Sequence, residues 1–249
     1  MQQFNVYDVF GYLLPGALVA GLVLMGASPF VDVSALGSFG GSFLLLAACY
    51  LLGHVLRATT GEEIRSRKYS EKLLAPSDES PPETKVFSEE LKRQIVEALV
   101  QTFRPQLSPQ DLQSSSGTQQ EFFDLAYALV IQRNLAGYTS LYNSLYALYR
   151  GLLAGSRWGG FLSFVYLLFY LLWWLCRGVF QVQLVTFLVL LPIFAYLGYG
   201  NPLRTNQESP LKKQFERYAR LFAASVYRSF LSWYLTQEGK SKPMLGPQH

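Results

Sequence analysis

The sequence predicts an all-α membrane protein. It has four transmembrane helices, an all-helical cytosolic domain inserted between the second and third spans, and a C-terminal amphipathic helix. Four long apolar stretches carry no Asp, Glu, Lys or Arg, which is typical of membrane-spanning helices. Only 15% of the 249 residues are charged, whereas soluble domains carry roughly 25%. In the polar region between the spans, apolar residues recur every three or four positions, which is the spacing of a helix.

The first predicted span covers residues 9–28, and a helix of that length is roughly 30 Å long, the thickness of a bilayer's hydrocarbon core. No Lys or Arg precedes it and its apolar run is long, so we do not expect a cleaved signal peptide. The alternative is a buried helix of a soluble core. Within the span, Gly16/Ala20 and Ala17/Gly21 are small-x-x-x-small pairs, which allow membrane helices to approach closely.

The other predicted spans lie in residues 33–56, 158–176 and 178–203, and a single Arg177 separates the last two. The region between the second and third spans is polar and holds twelve basic and twelve acidic residues. The predicted domains are spans one and two at 1–56, the cytosolic domain at 57–157, spans three and four at 158–203, the amphipathic helix at 204–238 and a disordered tail at 239–249.

Basic residues near the span ends predict the orientation, because Lys and Arg accumulate on the cytoplasmic side. They follow the second span, precede the third and follow the fourth: Arg57, Arg65, Arg67, Lys68, Arg150, Arg157, Arg204, Lys212 and Lys213. The link between the first two spans has none. We therefore expect both termini and the middle domain to be cytoplasmic, in a bacterial inner membrane.

Local signals place helices in the polar regions. Ser88 precedes two glutamates and is typical of a helix N-cap, Pro109 fits a first helical position, and Thr118 begins the capping box Thr-x-x-Glu. In the tail, apolar residues step by three or four from Leu211 to Trp233, while basic residues lie largely off that face.

Enzyme chemistry has little support in the sequence. The chain contains two histidines and two cysteines, and no H-E-x-x-H, C-x-x-C, G-x-S-x-G or phosphate-binding loop motif. Cys49 and Cys176 fall in apolar runs and are interpreted as small buried residues. We predict no catalytic residue, no metal site and no cofactor.

Candidate pore or gate residues are Asp8, His54, Gly16, Ala20 and Gly21. Asp8 and His54 are ionisable residues at the edges of the first and second spans, and such groups usually face protein or a water-filled cavity. They form either a cation-attracting mouth or an interhelical hydrogen bond that only holds the bundle together. The three small residues set how closely helices approach.

A second group of residues fits a nucleotide or single-stranded oligonucleotide, because aromatic rings stack on bases, amides read base edges and cations bind phosphates. The candidates are Arg133, Asn134, Tyr138, Tyr142, Asn143, Tyr146, Arg150, Lys213, Arg217 and Arg220. The tyrosines also fit helix packing or an interfacial belt. The basic residues of the tail helix also fit an anionic lipid surface.

Three segments, FNVYDVFGYLLPGA, YLLGHVLR and YALYRGLL, resemble small transmembrane effectors of prokaryotic anti-phage defence operons. The order of two spans, helical insert, two spans and helical tail is most similar to the membrane effector of the Hailong type. This resemblance implies a tetrameric ion channel encoded beside a nucleotidyltransferase. It also implies a cytosolic domain that single-stranded oligodeoxyadenylate keeps silent.

Two other functions remain open from the residues alone. A non-conducting membrane anchor or scaffold for a cytosolic partner would have the same spans, and an enzyme acting on lipid ranks third. A transporter is disfavoured, because the spans lack the discontinuous polar helices of a substrate site. The sequence does not determine the oligomer number, the pore-lining helix, the ion or the ligand.

Overall fold

The computed structural model describes residues 6–32, 34–59, 73–74, 86–114, 116–135, 137–200 and 208–241. These residues form helices and connecting turns, and no strand occurs among them, which confirms the all-α prediction. The helices are α1 (Val6–Ala27), α2 (Phe39–Thr59), α3 (Glu89–Phe103), α4 (Pro109–Ser114), α5 (Ser116–Gln132), α6 (Gly137–Arg177), α7 (Val182–Tyr199) and α8 (Pro210–Ser241). A short 3₁₀ turn, Ser34–Gly37, precedes α2.

Three of these helices, α2, α6 and α7, are long and apolar enough to cross a membrane. In α1 the corresponding apolar stretch, Gly11–Ala27, is shorter. The third predicted span is the second part of α6, which begins at Gly137 and continues without a break for 41 residues.

The chain divides into two compact units. The first, called the bundle unit, comprises Met1–Ile64 and Ser144–Tyr218; the second, called the polar unit, comprises Arg65–Asn143 and Ala219–His249. Helices α6 and α8 therefore each contribute residues to both units.

In the bundle unit, α1 packs between α2 and α6, and α7 packs on α6. Tyr12 near the start of α1 stacks on His54 near the end of α2, so these two helices run antiparallel. The Tyr170 hydroxyl of α6 donates to the Gly26 carbonyl at the end of α1, at 2.6 Å. On the other side of α6, Tyr166 stacks on Phe187 of α7 with ring centroids 5.0 Å apart.

The outer face of the bundle unit is apolar and its interior includes small polar residues. Phe43, Leu44 and Leu175 are each about two thirds exposed, while Ser156 and Ser163 are fully buried. Soluble proteins rarely leave so many large apolar side chains together in water. This distribution fits a helix bundle surrounded by lipid, where helices associate through small residues and hydrogen bonds.

The polar unit has an ordinary soluble core. Buried residues of α3, α5 and α8 form one cluster that includes Leu99, Phe122 and Phe230. The apolar face of α8 in this unit is covered by protein, since Phe222, Val226, Tyr227 and Phe230 are all buried. Removing that surface from water stabilises the unit by about 25 cal/mol per Å².

Helix starts in the polar unit follow the local signals, with one correction. The Ser88 hydroxyl accepts a hydrogen bond from the Leu91 N–H at 3.3 Å, which is the predicted N-cap of α3. Helix α4 begins at Pro109, also as predicted. Helix α5 begins at Ser116 rather than after Thr118, so Thr118 lies inside the first turn and does not cap the helix.

Candidate functional site

Helices α1 and α2 of the bundle unit cross with their backbones in close contact. A Cβ atom added at Gly16 would lie 1.7 Å from the Cys49 carbonyl oxygen and 2.8 Å from the Gly53 nitrogen. A Cβ at Gly53 would lie 1.9 Å from the Tyr12 carbonyl oxygen. Each helix therefore presents a glycine where the backbone of the other passes, and no larger residue fits at either position.

Helix α6 approaches the opposite side of α1 through glycines as well. A Cβ at Gly151 would lie 2.6 Å from Pro15 Cγ and 2.9 Å from the Gly11 carbonyl oxygen. One turn later, a Cβ at Gly155 would lie 3.4 Å from the Pro15 carbonyl oxygen. Pro15 thus lies inside α1 at a position where α6 has glycines, and the absence of their side chains leaves room for the proline.

An aromatic and basic cluster lies beside the α1–α2 crossing. The His54 ring stacks on Tyr12, with centroids 3.9 Å apart and planes inclined by 11°. Tyr50 meets both rings edge-on. The Arg57 guanidinium donates to the Tyr12 hydroxyl and lies 5.0 Å from the Tyr12 ring centroid. Stacked and T-shaped pairs of this kind contribute about 0.5–1.5 kcal/mol each beyond burial.

Three arginines of the bundle unit lie at the same end of the helices, which we call the basic end: Arg57, Arg150 and Arg157. Arg150 Nη2 donates to the Arg57 carbonyl at 3.2 Å, next to the end of α2. Arg157 Nε donates to the Gly198 carbonyl at 3.4 Å, next to the end of α7. Donors placed at a helix C-terminus satisfy carbonyls that lack an intrahelical partner.

The opposite end of the bundle unit is aromatic. Phe30 packs edge-on against Phe169 and Trp173 of α6, and Arg177 lies 5.6 Å from the Trp173 ring centroid. Asp32 follows α1 at this end and accepts from the Ser34 N–H at 2.9 Å, and that hydrogen bond lowers the pKa of its carboxyl. Aromatic residues at both ends of apolar helices are typical of the two membrane interfaces.

The structure separates the small residues of α1 into two faces. Gly16 lies at the α2 crossing and Ala20 is buried in the bundle. Ala17 and Gly21 are exposed, and a Cβ at Gly21 would meet no atom within 4 Å. Asp8 belongs to the first turn of α1, and its side chain lies outside the described residues.

The ligand candidates divide between the two units. In the bundle unit, Tyr146 is buried against Phe215 of α8 with ring centroids 5.2 Å apart, so its ring packs the helices together. Tyr149 stacks in the same way on Tyr218. Lys213 and Arg217, on the first turns of α8, are exposed.

In the polar unit, Arg133 and Tyr138 are exposed, and Tyr138 is the most open at 76%. Tyr142 packs against the core, and Asn143 Nδ2 donates to the Tyr127 hydroxyl at 3.4 Å. Arg220 is half-buried on α8.

Asn134 has a structural role at the end of α5. Its φ of 56° is left-handed, a conformation that Asn tolerates better than most residues. Its N–H donates to the Ile131 carbonyl at 3.1 Å, and the Leu135 N–H donates to the Val130 carbonyl at 2.9 Å. These two bonds form a Schellman motif, which terminates the helix. Asn134 therefore ends α5 just before α6 begins.

The glycines of α6 were not among the helix-contact residues predicted from the sequence. Gly151, Gly155 and Gly159 follow one another at intervals of four residues, which is the same signal as the small pairs of α1. From the sequence, Tyr12 fits only an aromatic belt at the membrane interface, whereas in the structure its ring stacks on His54 and its hydroxyl accepts from Arg57. Within the described residues, no three His, Cys, Asp or Glu side chains lie close enough to hold a metal ion.

The bundle unit thus has close helix contacts inside, an open small-residue face on α1 and a row of arginines at one end. These features belong to a membrane-associated helical protein. Comparison of the chain with models of protein families, with curated proteins and with solved structures finds no match.

Proposed function

We propose that the chain is a membrane effector of anti-phage defence. It forms an oligomeric pore that conducts ions or disrupts the membrane, under the control of a nucleotide or single-stranded oligonucleotide bound to its cytosolic domain. The main support for a membrane location is the apolar outer face of the bundle unit. This face encloses buried serines and close helix contacts at glycines. The assignment to defence rests on the sequence resemblance.

The proposed placement has four spans with the basic end in the cytoplasm. On α6, nineteen uncharged residues separate Arg157 from Arg177, and at 1.5 Å per residue they extend about 29 Å. Helix α7 has 18 residues, or about 27 Å. Both lengths match the hydrocarbon core of a bilayer, and α1 and α2 complete the bundle. Both termini are then cytoplasmic, because Lys and Arg are retained on that side of the inner membrane.

The proposed pore lies between copies of the chain. Within one bundle unit, Leu22, Tyr170, Phe187 and Phe194 are buried against one another in an apolar cluster, which does not suit the passage of ions. Ala17 and Gly21 form an open small-residue face on α1, which suits close contact with a helix of a second copy. A homo-oligomer therefore fits, and the resemblance favours a tetramer.

The proposed control acts through α6 and α8, since both helices contribute residues to both units. Candidate ligand residues are exposed in each unit separately. In the bundle unit, Lys213 and Arg217 are cations that suit phosphates, and in the polar unit, Arg133 and Tyr138 are a cation and a ring that suit a nucleotide. By the resemblance, the ligand is single-stranded oligodeoxyadenylate made by a nucleotidyltransferase encoded nearby, and it holds the pore closed.

The test measures the membrane potential of bacterial cells that express the chain, either with or without the neighbouring nucleotidyltransferase. We expect depolarisation and growth arrest when the partner is absent, and neither when it is present. Asp8→Asn removes a charge but keeps the shape, so it should lower cation flux at unchanged abundance. If the chain depolarises cells under neither condition, the pore hypothesis is wrong and the non-conducting membrane anchor becomes the preferred function.

A further inference from the structure

A cleft of about 260 Å³ opens on the outer surface of the bundle unit, between α6 and the end of α7. Its lining residues are Arg157, Trp158, Phe161 and Tyr199. Three of these are aromatic and exposed, and Tyr199 is 67% exposed. The cleft therefore combines one cation with an open apolar surface.

The cation of this cleft is held in a fixed position. The Arg157 Nε donates to the Gly198 carbonyl, and its guanidinium lies 5.6 Å from the Tyr199 ring centroid. A Cβ at Gly198 would lie 3.2 Å from Arg157 Cγ, so the glycine makes room for the arginine stem. The two terminal nitrogens of Arg157 donate to no protein oxygen among the described residues. Within the described part of the chain, they are available to a ligand from outside.

The charge and the apolar surface of the cleft follow one another along α6. Arg157 is the last charged residue before the uncharged stretch, and Trp158 and Phe161 begin that stretch. In the placement proposed above, the guanidinium is at the level of lipid headgroups and the rings are at the level of the first acyl carbons. Among the residues that the structure describes, no acidic side chain lines the cleft.

We propose that this cleft binds one anionic phospholipid of the cytoplasmic leaflet. The Arg157 guanidinium binds the phosphate with two parallel hydrogen bonds, a geometry that suits arginine. The acyl chain lies against Trp158 and Phe161. A net negative headgroup is favoured over a zwitterionic one, because the described lining of the cleft supplies one positive charge and no negative one. This inference rests on the membrane placement of the proposed function.

The test uses the full chain in bilayers and the fluorescence of a single tryptophan. In a variant with Trp173→Phe, Trp174→Phe and Trp233→Phe, only Trp158 remains. Phosphatidylglycerol or phosphatidylcholine with brominated acyl chains then quenches Trp158 when it occupies the cleft. We expect phosphatidylglycerol to be favoured about fivefold, the usual effect of one basic residue on an anionic lipid.

Arg157→Gln should abolish this preference, and Arg157→Lys should retain part of it, because lysine keeps the charge without the planar donors. Arg177→Gln is the matched control: it removes the same charge at the other end of α6 and should leave the preference unchanged. Equal quenching by both lipids in the parent, or a preference that survives Arg157→Gln, overturns the inference.

A second reporter separates this inference from the proposed function. A variant that keeps only Trp174, which is exposed further along α6, tests whether the helix contacts acyl chains at all. If Trp174 is quenched and Trp158 is not, another molecule such as a second copy of the chain covers the cleft, and the lipid site is wrong. If neither is quenched, the membrane placement itself is wrong.

Discussion

Gly16 of α1 and Gly53 of α2 lie where the two helix backbones touch. A Cβ at Gly16 would be 2.8 Å from the Gly53 nitrogen, and a Cβ at Gly53 would be 2.6 Å from the Tyr12 carbonyl carbon. Backbone atoms cannot rotate away as a side chain does, so the clash could be relieved only by moving a helix. The rings of Tyr12 and His54 stack beside this crossing and depend on the same approach.

Gly53→Ala should therefore destabilise the protein. Overpacking of this kind costs about 3 kcal/mol, and the midpoint of thermal unfolding of the purified protein should fall. Gly40→Ala is the matched control, because a Cβ at Gly40 of α2 meets no atom within 4 Å. Equal unfolding midpoints for the two variants would show that α1 and α2 do not cross as described.

Gly21→Leu should leave the fold of one chain intact and disrupt the assembly of several. The new side chain has open space within the chain but would occupy the face proposed for a neighbouring helix. Native mass spectrometry should report smaller oligomers, and membrane depolarisation should decrease. Gly40→Leu is the control, since Gly40 of α2 also has open space around it. Unchanged oligomers in Gly21→Leu would exclude this face from the assembly.

His54→Phe tests whether the cluster at the basic end does more than hold α1 and α2 together. Phenylalanine keeps a ring to stack on Tyr12 but cannot carry a proton or donate a hydrogen bond. We expect normal abundance and altered ion flux if His54 acts at a gate. Tyr12→Phe, which removes the acceptor used by Arg57, should instead cost about 1 kcal/mol of stability. Parent-like flux in His54→Phe would leave His54 with a packing role alone.

Lys213→Gln together with Arg217→Gln should weaken binding of single-stranded oligodeoxyadenylate. Each phosphate contact releases counterions when the oligonucleotide binds, so the loss of two contacts reduces this release. The slope of log affinity against log salt should therefore become shallower by about 1.4 for the pair. Arg93→Gln is the control, because this exposed arginine already pairs with Glu90 at 2.8 Å. A salt slope that stays the same in the double variant would remove these cations from the ligand site.

Tyr138 and Tyr142 distinguish a binding role from a packing role in the polar unit. Tyr138 is 76% exposed, so Tyr138→Ala should cost oligonucleotide affinity of about 1–3 kcal/mol if a base stacks on it. Tyr142 packs on the core, so Tyr142→Ala should lower the unfolding midpoint instead. Affinity and midpoint are measured on both variants, and the reverse pattern would contradict the assigned surfaces.

The sequence by itself predicted an all-helical chain and three of the helices that are apolar enough to cross a membrane, α2, α6 and α7. The fourth predicted span, in α1, stays a prediction, because its apolar stretch Gly11–Ala27 is shorter. Hydropathy and helix-capping signals depend only on residues that are close together in the sequence. Ser88 and Pro109 therefore predict the starts of α3 and α4 even when the fold is not known. The predicted start of α5 was wrong by three residues, because Thr118 carries the same capping signal without occupying the cap position.

Tertiary structure decided which of several equivalent residues meets a partner. Gly16 and Gly21 belong to similar small-residue pairs of one helix, yet Gly16 touches α2 and Gly21 is open. Tyr138 and Tyr146 share a helical spacing, yet one is exposed and the other is buried against Phe215 of α8. Spacing along a helix defines faces but not their neighbours, because the neighbouring backbone comes from a distant part of the chain.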